Sequence, residues 1–137
     1  MPVVSVLLVD DSIHFRRFVR QILETTQNFQ LVGEAADGFE GVRQATQLKP
    51  DLILLDVALP KLDGIQAAKA ILIAAPESKI LFVTAYCSQS LAGTALNLGA
   101  KGYVVKSDAP EDLLRAMEVV MSNKQFVSKA VIGYESS

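Results

Sequence analysis

Apolar residues along the chain gather in short runs bounded by turn formers, and the runs recur about every 25 residues. VVSVLLV (3–9), FQLVGEA (29–35), DLILLD (51–56), KILFVT (79–84) and KGYVVK (101–106) have the aliphatic and β-branched character of strands. Between them the period changes. Phe15, Phe18, Val19, Ile22 and Leu23 fall at helical spacing, and Leu113, Leu114, Met117, Val120 and Met121 repeat it near the end. Weaker helical patterns cover 39–48, 65–75 and 88–97, which predicts a strict alternation of five strands with five helices. Asp108, ahead of Pro110, Glu111 and Asp112, is the expected N-cap of the last helix.

Such alternation implies parallel strands joined by right-handed crossovers, with helices on both faces of the sheet. The continuous apolar runs LILL and LFV suit strands buried on two sides. In open sheets of this kind ligands bind outside the carboxyl ends of the strands, so those ends are where chemistry is sought. They carry Asp10 and Asp11 after the first strand, Asp56 after the third, Thr84 at the end of the fourth and Lys106 after the fifth. Neighbouring aspartates repel and each prefers water, so VSVLLVDDS (4–12) places both at a cost in stability. A hard cation that takes oxygen ligands, Mg2+, would offset the charge. With Lys106 as a point charge and Thr84 as a hydroxyl donor, the rim can hold a phosphoryl group beside a carboxylate. Asp56 stands alone after LILL, whereas Asp10 and Asp11 form a pair suited to organising the cation. Asp56 is therefore the expected nucleophile, forming an aspartyl phosphate.

Composition narrows the setting. At 137 residues, half of them apolar and a fifth charged, the chain fits one domain with its own core. The expected boundaries are 1–130 for that domain and 131–137 for a tail or the start of a linker. No run approaches the length of a membrane span, and the start lacks the basic segment of a secretory signal. A formal net charge of −2 argues against contact with nucleic acid or an anionic membrane by this chain. The single cysteine, Cys87, fits a reducing compartment, and the expected location is the cytoplasm.

Taken together, LLVDDS, LLDVALPKLDG, Thr84-Ala85 after LFV and GAKGYVVKSD resemble the response-regulator receiver domain over about residues 3 to 130. The resemblance implies a flavodoxin-like (CheY-like) five-stranded parallel sheet of order 2-1-3-4-5. It also implies that Asp11 and Asp56 ligate Mg2+ directly, Asp10 through water, and Ala58 through its backbone carbonyl. Thr84 would bond the phosphoryl group, Lys106 would pair with it, and Tyr103 is similar to the switch aromatic that couples to the threonine. Ala58 and Tyr86 resemble the variable pair that sets phosphoryl lifetime. ADGFEGVRQA, KSDAPEDLLRAMEVV and NKQFVSKAV are closest in pattern to the NarL/FixJ (LuxR-type) branch, in which a receiver usually precedes a helix-turn-helix DNA-binding domain. The implied partners are a sensor histidine kinase or phosphotransfer protein, and a second copy on phosphorylation. The chain itself would be no enzyme beyond catalysing its own phosphorylation and dephosphorylation.

The sequence departs from the family's usual pattern at Leu59, often Met, and at Ser107, often Pro, which leaves the peptide geometry after Lys106 open. Rival classes fit less well. Gly33 and Gly38 are followed by Phe39-Glu40 and not by the Lys and hydroxyl residue of a phosphate loop. Ala58 cannot be the general acid of an aspartyl phosphatase, and two aspartates after the first strand would repel a flavin phosphate. A stand-alone receiver, or a receiver fold used as an interaction module without phosphorylation, remains the alternative.

Overall fold

Each apolar run becomes a strand because its alternate side chains have a helix layer to meet on either face. The computed structural model describes residues 2–136, so Met1 and Ser137, at the ends of the expected domain and tail, lie outside the described residues. Elements follow in the order β1 (Val4–Val9), α1 (Ile13–Glu24), β2 (Phe29–Ala35), α2 (Gly38–Leu48), β3 (Leu52–Leu55), α3 (Gly64–Ala74), β4 (Lys79–Thr84) and α4 (Gln89–Leu98). Then come β5 (Gly102–Val105), a 3-10 turn (Lys106–Asp108), α5 (Ala109–Met121), β6 (Phe126–Val127) and α6 (Lys129–Ser136).

All strands run parallel in the order β2-β1-β3-β4-β5-β6. One face packs Leu7, Val9, Ile53, Leu55, Phe82 and Tyr103 against α2, α3 and α4. The other packs Val6, Leu8, Leu54, Leu81, Val83 and Val104 against α1 and α5. Period-2 alternation thus divides the strands between two cores, so the inner residues Val6–Val9, Leu52–Leu55 and Ile80–Val83 are apolar on both faces. Four helices start on a side chain that accepts the third residue's N–H: Ser12 from Phe15, Asp37 from Glu40, Asp63 from Gln66 and Ser88 from Leu91.

Two expectations are corrected. The sheet has six strands, the sixth being Phe126–Val127, where five were expected. A two-residue strand is too short for periodicity to show, and its pairing is finished by a side chain: Val105 N–H donates to Ser128 Oγ at 2.9 Å while Ser128 N–H donates to the Tyr103 carbonyl at 2.9 Å. Asp108 precedes α5 but makes no capping hydrogen bond. The 3-10 turn runs straight into α5, giving Asp108 helical dihedrals (φ −94°, ψ −6°), and capping needs an extended residue. The segment expected as a tail begins within α6, where Val131 is buried in the core of the α4 face. No cis peptide bond occurs among the described residues, the Lys106–Ser107 bond included.

Candidate functional site

The site is built where the order of strands reverses. β1 lies between β2 and β3, and Val9 is the register partner of Leu55, so the residues that follow them emerge side by side. Asp56 N–H donates to the Val9 carbonyl at 3.0 Å, and Asp10 N–H to the Ala35 carbonyl at 3.0 Å, which extends the ladder one step past the strands and pins both aspartates. On the far side Thr84 is the register partner of Val105, which delivers Lys106 to the same rim.

One carboxylate oxygen from each of Asp10, Asp11 and Asp56 lies within 4.8 Å of the other two. Asp10 (1% exposed) and Asp56 (5%) are buried, whereas Asp11 faces solvent. Lys106 Nζ bridges the buried pair, 2.8 Å from Asp10 Oδ2 and 3.1 Å from Asp56 Oδ2. Three carboxylates therefore face one ammonium, and burial raises the Asp10 pKa in spite of hydrogen bonds from Lys106 and the Ser12 N–H. Burial works against the charge on Lys106 as well, but hydrogen bonds and attraction from Asp10 and Asp56 outweigh it and its pKa is raised. Excess negative charge on hard oxygen donors fits the donor set of Mg2+.

Around this centre sit residues that sequence reasoning placed elsewhere or passed over. Arg16 Nη1 donates to the Asp10 carbonyl at 2.6 Å, and its Nε pairs with Glu34 at 3.2 Å. Phe15, expected only as part of a core stripe, has its ring centroid 4.5 Å from Lys106 Nζ. Both lie on the first turns of α1, directly after the acidic pair, and that adjacency is the signal that could have found them. His14, next to them, is exposed.

Thr84 is fully buried, and its hydroxyl accepts the Tyr86 N–H at 3.5 Å; no hydrogen bond joins it to the carboxylates among the described residues. Tyr103 is also fully buried, and its hydroxyl donates to the Tyr86 carbonyl at 2.6 Å. Burial first, then the negative groups nearby, push the Tyr103 pKa up to about 12, so the donor is retained throughout the neutral range. Tyr86 is half-exposed, and the exposed Ala58 has its N–H 3.3 Å from Asp56 Oδ1.

Fold and site define a doubly wound α/β domain that gathers acidic groups and one lysine at its topological switch point. The chain belongs to the family of response regulator receiver domains, whose model matches residues 6–118. It is 36% identical over 84% of its length to an uncharacterized transcriptional regulatory protein of Bacillus subtilis, YhcZ, of which the match covers 54%. It is 32% identical over 83% of its length to the chemotaxis protein CheY of Listeria monocytogenes, of which the match covers 95%. A crystal structure of a LuxR-family two-component response regulator from Aurantimonas superposes with a TM-score of 0.90 at 28% identity, covering 99% of this chain and 100% of that one. The chain spans about half the length of the two transcriptional relatives YhcZ and YxjL. Its place is in two-component signalling.

Proposed function

We propose that this receiver accepts a phosphoryl group on Asp56 from a histidine kinase, a phosphotransfer protein or a small donor. The single observation that carries the reading is Lys106 bridging Asp10 and Asp56 beside a third carboxylate, because it joins a buried nucleophile, a cation-seeking acid pair and a mobile positive charge in one place. In the transfer an Asp56 carboxylate oxygen attacks phosphorus and the bond from phosphorus to the donor nitrogen breaks. The electron pair leaves with the imidazole, which then takes a proton from water. Asp10, Asp11, Asp56 and the Ala58 carbonyl would hold Mg2+, which when bound supplies neutralising charge to the phosphoryl oxygens. Lys106 pairs with the transferred group and Thr84 bonds it on turning from the Tyr86 N–H. Tyr103 responds through the Tyr86 carbonyl it already holds, shifting a two-state equilibrium of the β4–α4 loop.

The chain acts in the cytoplasm without touching membrane or nucleic acid itself; no described helix is long and apolar enough to cross a membrane. It turns over no external substrate beyond its own phosphorylation and dephosphorylation, and phosphorylation favours a homodimer. Output passes to a DNA-binding domain outside residues 1–137, a reading supported by the transcriptional relatives that are about twice as long. The test is intact mass after incubation with a small phosphodonor, with and without Mg2+, for wild type and Asp56→Asn. One phosphoryl adduct that requires both the metal and Asp56 is expected. Equal yield from Asp56→Asn would refute the acceptor, and no adduct or beryllium fluoride complex at any time would favour a module that signals by binding alone.

A further inference from the structure

The ammonium of Lys106 has three N–H donors, and the carboxylates of Asp10 and Asp56 account for two. No further acceptor reaches it among the described residues. Its remaining neighbour is the ring of Phe15, 4.5 Å from Nζ to the centroid, within the range in which a ring face attracts a cation. The lysine side chain is only 20% exposed, so little water competes for it. Phe15 is itself fixed, since it belongs to the first turn of the capped helix α1 and packs against Phe18 with ring centroids 5.6 Å apart.

We infer that Phe15 is a positioning residue for phosphoryl acceptance, holding the Lys106 ammonium over the site by a contact that carries no charge of its own. This rests on the reading of Asp56 as acceptor and Lys106 as its partner. The physical reason lies in what changes during the reaction. Asp56 becomes an acyl phosphate and Asp10 is one of the carboxylates that would hold Mg2+, so neither ionic partner of Lys106 is free to fix the lysine throughout. A fourth carboxylate would fix it but would add negative charge to a centre where three carboxylates already face one ammonium. An aromatic face attracts the ammonium without either consequence, and it lets Nζ pivot from carboxylate to phosphoryl oxygens while the ring contact persists. An aliphatic residue of similar bulk would fill the volume but offer the ammonium no comparable attraction.

Phe15→Leu and Phe15→Met remove the ring while keeping much of the bulk, and Phe15→Tyr restores the face. The first reading is NMR of the unphosphorylated protein, where the ring current displaces the Cε protons of Lys106. The second is the rate of phosphorylation by acetyl phosphate at saturating Mg2+. Expected are loss of that displacement and a rate lower by about 3- to 10-fold in the Leu and Met variants, with most of both recovered in Phe15→Tyr. Unchanged lysine signals in Leu and Met, or a Tyr variant as slow as they are, would overturn the inference; either aliphatic variant suffices if the other does not fold. A wild type that takes up no phosphoryl group overturns the acceptor reading instead, and the lysine signals, read without donor, tell the two failures apart.

Discussion

Asp10 and Asp56 meet because Val9 and Leu55 are register partners, and Lys106 reaches them because Thr84 and Val105 are. Their apolar neighbours fix where each carboxyl emerges and also deprive it of water, so the pair depends on Lys106 for compensation. The individual residue types at the rim were legible in the sequence, as carboxylates, a threonine and a lysine that end apolar runs. Their mutual distances were not, nor were the contacts of Arg16 and Phe15, which depend on how α1 leaves β1. At this scale the exposed ring of Tyr86 and the bare Cβ of Ala58 carry a prediction about lifetime. On the proposed reading the ring would shield an acyl phosphate from water, and Ala58 would offer no side chain to orient a hydrolytic one. Tyr86→Ala should speed dephosphorylation by about 3- to 10-fold, followed as loss of the mass adduct after removal of donor. An unchanged rate would end that idea.

Elements constrain the site through close approach as much as through side-chain chemistry. The start of α3 lies against the acceptor loop: Gly64 N–H donates to the Val57 carbonyl at 2.8 Å, and a Cβ at Gly64 would come 2.0 Å from the Asp56 carbonyl oxygen. That neighbour is backbone and cannot swing aside. Gly64→Ala should therefore cost about 3 kcal/mol or more in chemical denaturation and displace Asp56 as well. A loss below about 0.5 kcal/mol would mean that α3 can slide away from β3. In the sequence Asp63-Gly64 reads only as turn chemistry; the N-cap role of Asp63 was open to inference, but the backbone behind Gly64 belongs to another segment and was not. The same limit hid β6. Its two residues pair with β5, and Ser128 completes the pairing by accepting the Val105 N–H and donating its own N–H to the Tyr103 carbonyl; neither length nor periodicity signals that.

For the whole molecule, the buried acids tie stability to pH and, on the proposed reading, to Mg2+. With its pKa raised, Asp10 contributes an unfavourable term that is absent below the unfolded value of 3.8, grows as pH rises from there to the folded value and is complete above it. Lys106, also raised, contributes a favourable term that is complete below 10.5 and lost only as pH rises beyond that through its folded value. Without divalent cation at pH 7, Asp10→Asn should thus raise the melting temperature by a few degrees, on the order of 1 kcal/mol, with the gain fading toward pH 3. Mg2+ at about 100 times its Kd should add about 2.7 kcal/mol to the wild type and far less to Asp10→Asn or Asp56→Asn. Equal metal stabilisation of all three would remove the metal from these carboxylates. By itself the sequence determined the alternation of strands and helices, the two-sided burial of LILL and LFV, and the residue types at the strand ends, because hydrophobic period and turn chemistry act over a few neighbours. Only the tertiary structure decided that Lys106 bridges Asp10 and Asp56, that Phe15 faces its ammonium and that Ser128 closes the β5 edge. Those contacts join residues far apart in the chain through register and crossing geometry, which no local pattern encodes.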